Sequence, residues 1–329
     1  MRHCIYILMC VCLLASCSSG NEKKSAVKGK VQSAPYELLV VADKEWLKTE
    51  MGQQLVEVVE APILGLPQRE GNFRVTYINP EAFKGTFQYY ANILTVDIDK
   101  KTKDPVMGVV EDRYARPQVV VHLLAPDYKS LVTLVQQESQ QLLDIFNENE
   151  FARERALLEK HHSGVVTRKT QNLFGVSMNV PEEIDDMKEG KNFLWASASK
   201  QDFKQNVCLY TIPMQDLTGE RWVEVRDSVM KVNIPGDRED QWMETDFRTV
   251  SVRLMKVEEN DVLTMRGLWD MRNDAMGGPF VCYAYPDIVR DRLLIVEGFV
   301  FAPDKKKRPI IRPLEAALQT VIFVPGTHK

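Results

Sequence analysis

The apolar run Gln118-Val-Val-Val-His-Leu-Leu124 constrains the fold more than any other stretch of this chain. A strand that is apolar on both sides is typical of the centre of a sheet whose two faces are both covered. Around this run, the spacing of apolar residues alternates between the period of strands and the period of helices. Strands are predicted at 36–42, 73–78 and 92–98, and helices at about 43–60, 79–90 and 127–161. The first half of the chain therefore predicts a sheet covered by helices.

The second half is richer in strands. Strands are predicted at 174–180, 193–198, 206–212, 249–257, 262–269, 280–285 and 293–302, with helices after Thr218 and from Pro313. This order of early strands, inner helix, meander and terminal helix is similar to that of the Mog-one/PsbP-like sandwich, a likeness that carries no function. The chain as a whole predicts the α+β class, with two α/β sandwich domains and a PsbP-like order of elements in the second.

The domain boundaries are predicted where the pattern changes. We predict a leader at 1–16, a flexible tether at 17–34, an N-terminal α/β domain at 35–162 and a C-terminal α+β sandwich domain at 173–324. The polar stretch 163–172 is predicted to link these two separately packed units. A chain of 329 residues is long enough for two domains of ordinary size.

Residues 1–17 have the layout of a secretory signal. Arg2 supplies a positive charge, Ile5 to Leu14 form an apolar segment too short to span a bilayer, and Leu14-Ala-Ser-Cys17 ends it with small residues before a cysteine. This ending resembles a bacterial lipobox, which implies that the Cys17 thiol carries a diacylglycerol and becomes the new N-terminus. The alternative is an ordinary cleaved signal in which Cys17 is incidental. We expect a protein anchored to a membrane rather than spanning it.

Most of the mature chain also resembles a family of uncharacterised lipoproteins of Bacteroidota that is classed as a domain of unknown function. The resemblance rests on the lipobox and on Gly65-Leu-Pro-Gln68, Ala115-Arg-Pro-Gln118, Gly267-Leu-Trp269 and Gly277-Gly-Pro-Phe280. It implies an address in the cell envelope and brings no activity. Surface-exposed lipoproteins in related bacteria often carry an acidic run after the cysteine, whereas 18–24 holds a single acid followed by two lysines. We therefore expect the protein to face the periplasm, from either the inner or the outer membrane.

Charge and motifs exclude several classes of function. A net charge of −4 argues against a general nucleic-acid binder, which needs a basic face. The sequence lacks the common fingerprints of nucleotide-binding loops, zinc peptidases and serine hydrolases, and we predict no cofactor and no metal site. The adjacent His161 and His162 point in different directions on a helix and are predicted to be solvated, whereas His122 is predicted to be a core histidine. Cys208 and Cys282 are predicted to be buried thiols, with a disulfide as the alternative.

The strongest candidate for a binding site is the stretch from Arg266 to Phe280. It combines an aromatic ring, two carboxylates, a guanidinium, an amide and paired glycines, in Trp269, Asp270, Arg272, Asn273, Asp274, Gly277 and Gly278. Tryptophan offers a flat stacking surface, arginine holds an anionic group through two hydrogen bonds, and glycine lets a ligand approach the main chain. The alternative is an ordered hairpin loop whose Trp269 packs in the core and whose charges pair locally.

These patterns favour a non-enzymatic binding or interaction module of the cell envelope. Its predicted partners are the lipid bilayer, through acylated Cys17, and an envelope protein or glycan. The alternative is a periplasmic hydrolase with a carboxylate pair near Asp270 and Asp274, which would require both carboxyl groups to face one pocket. Lys305-Lys-Lys-Arg308 is a further option for contact with anionic headgroups, against a solvated loop tip.

Overall fold

The apolar run at residue 118 forms the strand Val119–Ala125, which pairs with a strand on each side inside a five-stranded sheet. The computed structural model describes residues 28–200 and 202–325. The predicted leader, the predicted lipid-bearing Cys17 and residues 18–27 of the predicted tether lie outside the described residues. The position of Val119–Ala125 between two neighbours confirms the prediction of a central strand.

The N-terminal domain is built on this sheet. Its strands are β1 (Gly29–Lys30), β2 (Glu37–Val41), β3 (Arg74–Ile78), β4 (Asn92–Ile98), β5 (Val106–Glu111), β6 (Ala115–Arg116) and β7 (Val119–Ala125), and its helices are α1 (Lys44–Leu47), α2 (Glu50–Val59), α3 (Tyr128–Gln137) and α4 (Ser139–Leu158). The sheet order is β3-β2-β4-β7-β5, and β5 runs antiparallel to β7 whereas the other neighbours are parallel.

The two faces of this sheet are covered differently. One face packs against all four helices, around buried residues such as Leu55, Leu94 and Phe146. The opposite face, which includes Ile93 and Val120, is covered by aromatic side chains of short 3-10 turns and loops. Strand β7 is therefore apolar on both sides because it faces two cores. Helices cover one of them, and 3-10 turns and loops cover the other.

Several predicted helices are divided or shortened. The helix predicted at 43–60 is interrupted at Thr49, whose extended backbone ends α1 and whose hydroxyl accepts a hydrogen bond from Gly52 N at 3.1 Å to begin α2. The helix predicted at 127–161 is divided at Glu138, whose backbone is not helical and separates α3 from α4. The segment predicted at 79–90 forms 3-10 turns, because Lys84 is extended and Gly85 has a φ of 60°.

The C-terminal domain is built on a seven-stranded antiparallel sheet. Its elements are α5 (Gly164–Phe174), β8 (Val176–Ser177), β9 (Asp186–Gly190), β10 (Phe193–Ser199), β11 (Lys204–Pro213), α6 (Gly219–Asn233), β12 (Met243–Val257), β13 (Asn260–Met271), β14 (Gly277–Asp287), β15 (Arg292–Phe301), α7 (Arg308–Leu318) and β16 (Ile322–Phe323). The sheet order is β12-β13-β14-β15-β11-β10-β9, and β8 pairs separately with β16. Helix α6 packs on one face around Trp222 and Met230, whereas α5 and α7 pack on the other face around Val166 and Leu314.

The fold class is confirmed. The chain is α+β, with two sheets covered by helices, and the second domain has the predicted order of early strands, inner helix, meander and terminal helix. Across residues 28–200 and 202–325, no helix combines the length and the apolar composition needed to cross a bilayer.

The prediction of a polar linker at 163–172 is wrong. These residues belong to helix α5, which ends at Gly175 with a left-handed φ of 69°. Val166, Thr170 and Phe174, spaced four residues apart, are buried in the core of the C-terminal domain. The polar residues between them hide this helical spacing in the sequence.

The predicted tether is also ordered at its C-terminal end. Strand β1 pairs in parallel with β6, and Ser33 Oγ accepts a hydrogen bond from Ala91 N at 2.9 Å. The folded part of the chain therefore begins before residue 35, because residues of the predicted tether form hydrogen bonds with the N-terminal domain.

Arg226 of α6 and Glu297 of β15 form an ion pair that is closed to solvent. Arg226 Nε donates to Glu297 Oε2 at 3.0 Å and Nη2 donates to Oε1 at 2.7 Å. Arg226 Nη1 also donates to Thr245 Oγ1 at 2.8 Å, and its guanidinium lies 4.0 Å from the centroid of the Phe280 ring. Each charge is thus paired and hydrogen-bonded, as a desolvated charge requires.

Cys208 and Cys282 lie on either side of Glu297, on the two strands that neighbour β15. Two strand spacings separate their Cα atoms by roughly 9–10 Å, beyond the reach of a disulfide. Both thiols are free and buried in the part of the chain that the structure describes, which confirms the prediction of buried thiols. Burial, followed by the charge of Glu297, raises the pKa of both thiols.

We expect Arg226→Met to lower the free energy of unfolding by about 3–5 kcal/mol, because it leaves the Glu297 carboxylate buried without a counter-charge. The double variant Arg226→Met/Glu297→Met should regain most of that loss, since no unpaired charge remains. Urea denaturation of the three proteins measures both effects. Equal losses in the single and the double variant would contradict this account.

Candidate functional site

The stretch predicted as a binding loop is mostly strand. Trp269, Asp270 and Met271 belong to β13, and Gly277 begins β14, so only residues 272–276 form the turn. Trp269 packs in the core, as in the alternative given for this stretch. Its side chain is buried, its Nε1 donates to Val300 O at 3.3 Å, and its ring packs edge-to-face against Phe299 with centroids 5.6 Å apart.

The paired glycines serve this packing. A Cβ on Gly278 would lie 2.0 Å from Val300 O and 3.2 Å from Trp269 Nε1. A Cβ on Gly277 would lie 2.7 Å from Asp270 Oδ1. Both positions therefore require glycine for the close approach of neighbouring strands, rather than for the approach of a ligand.

The polar residues of the turn are paired locally. Arg272 lies with its guanidinium 4.7 Å from the centroid of the Trp242 ring. Asn273 Nδ2 donates to Asp240 Oδ2 at 3.0 Å, and Asp274 Oδ2 accepts from Gln241 Nε2 at 3.0 Å. Binding by the exposed Arg272, Asn273 and Asp274 stays a prediction, but the groove expected around them is not formed by Trp269.

The carboxylates of the hydrolase alternative do not meet in a described cavity. Asp270 and Asp274 do not line any of five principal cavities in residues 28–200 and 202–325. In the same ranges, no three His, Cys, Asp or Glu side chains are grouped as a metal site requires.

A cleft between the two domains brings together charged residues that are distant in sequence. Helix α4 forms one wall, and β12, β13 and α7 contribute to the other. The cleft contains an inner cavity of about 320 Å³ and an outer cavity of about 680 Å³, which share the lining residues Gln140, Asp144, Asn147, Phe151 and Arg253. We call these two cavities together the inter-domain cleft.

Arg312 of α7 is the buried cation of the inner cavity. Its Nη2 donates to Asn72 Oδ1 at 2.5 Å and to Asn147 Oδ1 at 3.2 Å, both in the N-terminal domain. Its guanidinium also lies 5.2 Å from the centroid of the Phe151 ring. Arg312 is 2% exposed, and its Nε finds no hydrogen-bond partner among the described residues.

Glu315 is shared between two guanidinium groups. Its Oε2 accepts from Arg312 Nη1 at 3.0 Å and from Arg266 Nη2 at 2.7 Å. Burial alone would raise the pKa of Glu315, but the charges of Arg266 and Arg312 outweigh it and hold the pKa below its usual range. Glu315 is therefore ionised at neutral pH, and one carboxylate faces two buried or half-buried cations.

Two further contacts fix the domains around the cleft. Asp144 of α4 and Arg253 of β12 form a half-exposed ion pair of 3.1 Å at the boundary of the inner and outer cavities. Deeper in the interface, Glu70 accepts hydrogen bonds from Lys307 N at 2.6 Å and Arg308 N at 3.2 Å, at the first turn of α7. Lys307 is buried, so the expectation of a solvated tip or headgroup contact at 305–308 is wrong for this residue.

His122 is half-buried rather than sealed in the core. Its Nδ1 lies 2.6 Å from Thr95 Oγ1 and 3.5 Å from Asp97 Oδ2. A nucleophile–histidine–acid relay needs its two partners on different ring nitrogens, whereas both groups here approach the same one. The cluster therefore lacks the geometry of a catalytic triad.

The sequence motifs do not reveal the inter-domain cleft. Asn72, Asn147, Arg266 and Arg312 come from four separate elements, and no local spacing relates them. The available signal was the pair of charges Arg312 and Glu315 within the apolar stripe of the last helix, since charges in a buried stripe must find partners.

Comparison with known families agrees with this two-part architecture. Residues 163–320 match a family described as a domain of unknown function (DUF4837), and residues 32–159 match a second domain of unknown function (DUF8532). The resemblance to families of unknown function is thus confirmed at that level. No curated protein matches the chain.

Solved structures give weak similarities. The Ran-binding protein Mog1p of Saccharomyces cerevisiae is 10% identical with a TM-score of 0.31, and the match covers 46% of this chain and 90% of that chain. LpqN of Mycobacterium tuberculosis, which is involved in cell envelope biogenesis, is 9% identical with a TM-score of 0.29, and the match covers 46% of this chain and 83% of that chain. Similarities at this level carry no functional conclusion.

We expect Trp269→Ala to lower the free energy of unfolding by roughly 3–5 kcal/mol, because it empties a fully buried site between two strands. Arg272→Ala in the same hairpin is the matched control and should change stability by less than about 0.5 kcal/mol, since its side chain is half exposed. Chemical denaturation monitors both variants. A small loss for Trp269→Ala would contradict the structural role assigned to this ring.

Proposed function

We propose that this chain is a lipid-anchored lipoprotein of the cell envelope, of the kind found in Bacteroidota, and that its two domains form a binding module rather than an enzyme. The binding role is carried by the inter-domain cleft, whose polar groups come from both domains and are held by hydrogen bonds. Ligand sites are commonly concave, largely pre-formed and lined by a few fixed polar groups. An envelope component in this cleft would contact both domains at once.

The proposed anchor also limits where the module works. Leu14-Ala-Ser-Cys17 and the polar residues after it support acylation at Cys17. The chain between Cys17 and Gly29 can span at most roughly 40 Å, so a lipid on Cys17 keeps the body close to a bilayer. The single acid before two lysines after Cys17 supports a periplasm-facing orientation in either membrane.

Replacing Cys17 by Ser should release the protein from the membrane fraction and abolish incorporation of labelled fatty acid, because serine offers no thiol for the diacylglycerol. Fractionation and acyl labelling of cells that express the two proteins measure this. Cys208→Ser is the matched control, since its thiol is buried in the second domain, and it should keep both properties. Membrane retention and labelling of the Cys17→Ser protein would overturn the anchor.

Binding in the cleft is tested by photocrosslinking in the native envelope. A benzophenone amino acid at Leu64, an exposed residue that lines the inner cavity, should capture the bound component. The same group at Ile288, which is also exposed but lies in a turn outside the cleft, is the control. We expect a defined adduct, identified by mass spectrometry, at Leu64 alone. The same adducts at both positions, or none at Leu64, would contradict binding in the cleft.

A further inference from the structure

We infer that the inner cavity of the inter-domain cleft binds a small anionic amphiphile, whose carboxylate or phosphate group pairs with Arg312 and Arg266 while its apolar part lies against the cavity wall. The inference rests on the proposed function, because it specifies the chemistry of the ligand in the same cleft.

The balance of charge in the inner cavity favours an anion. Arg266 and Arg312 share the single carboxylate of Glu315, whereas Arg253 is already paired with Asp144. The lining residues of the cavity therefore carry one positive charge more than they carry negative charges. Because a buried charge without a counter-charge is costly, an anion that enters this cavity gains a favourable partner.

Arg312 lines this cavity in a fixed orientation. Asn72, Asn147 and Glu315 hold its two terminal nitrogens, which fixes the plane of the guanidinium. Its Nε, which has no partner in the described part of the chain, is left as a desolvated N–H group. An arginine that is already held in place loses little conformational freedom when it binds a carboxylate or a phosphate.

Part of the remaining wall is apolar, and Gln140, Ser251 and Thr264 add uncharged polar groups. Pro62, Ile63 and Leu64 line it from the N-terminal domain, together with Leu143 and Phe151 of α4. A cavity of about 320 Å³ accommodates a small molecule. Apolar residues in the same cavity as two arginines suit a ligand with an anionic head and a short apolar part, rather than a cation.

Calorimetric titration measures the dissociation constants of four compounds: octanoate, octyl phosphate, 1-octanol and inorganic phosphate. The protein is the water-soluble form that begins at residue 17 and carries Cys17→Ser, because it keeps every residue of the folded body. We expect octanoate, octyl phosphate or both to bind at least tenfold more tightly than 1-octanol and inorganic phosphate. The preference between the two amphiphiles tells a carboxylate from a phosphate source. Binding of 1-octanol or inorganic phosphate as tight as that of the amphiphiles would overturn the inference, as would no binding at all.

Variants of opposite sign distinguish this site from a general surface effect. Arg266→Gln should weaken binding of the preferred amphiphile at least tenfold, whereas Glu315→Gln should tighten it, because it removes the competing carboxylate. Leu64→Asp places a negative charge at the exposed edge of the cavity without touching the buried network, and should also weaken binding. Arg248→Gln, at a position that is 87% exposed in its side chain, is the control and should change nothing.

The outcomes of the two tests are separable. If Glu315→Gln weakens binding or Leu64→Asp leaves it unchanged, while both variants keep the circular dichroism spectrum of the parent, the anion site is wrong. A defined adduct at Leu64 together with no binding of either amphiphile would leave the binding role of the cleft standing and remove only the chemistry assigned to its ligand.

Discussion

The contact of Arg312 with Asn72 and Asn147 is the interaction on which the arrangement of the two domains depends. Helix α7 packs on the sheet of the C-terminal domain. The guanidinium of its Arg312 is nevertheless covered by the N-terminal domain, where Asn72 and Asn147 accept hydrogen bonds from it. A buried guanidinium needs hydrogen-bond acceptors, and two of its acceptors are amide oxygens of the other domain. Separation of the domains would expose this charge and its partner Glu315 to water, so docking of the domains and formation of the inner cavity are one process.

Arg226 and Arg312 are both buried in the second domain, but they differ in how completely their hydrogen-bond donors are paired. Arg226 uses all three nitrogens, stacks on Phe280 and meets one carboxylate of its own, so it leaves nothing for a ligand. Arg312 shares its carboxylate with Arg266 and keeps one N–H without a partner in the described ranges. A satisfied network stabilises a core, whereas an incomplete one beside a cavity provides the recognition chemistry of a site.

The sequence predicts the fold better than the site, because helices and strands follow from local patterns, whereas the site is formed by residues that are far apart in the sequence. The apolar run at 118–124 and the apolar spacing after Thr218 are local patterns, and they correctly predict a central strand and a helix. The apolar spacing does not predict the breaks at Thr49, where the hydroxyl caps α2, and at Glu138, where the backbone leaves helical geometry without a side-chain cap. The predicted strand 262–269 includes Trp269, but the residues that bury its ring, Phe299 and Val300, lie on a strand distant in sequence. The contact between Asn72 and Arg312 joins residues 240 positions apart, and no local pattern encodes it.

The contacts that join the two domains around the cleft differ in strength. The Asp144–Arg253 pair is nearly half exposed on both sides, and such pairs contribute only about 0–1 kcal/mol. The contacts of Glu70 with the first turn of α7 are buried, as are those of Arg312. Opening on the side of Asp144 and Arg253 therefore costs far less than separating the domains at α7.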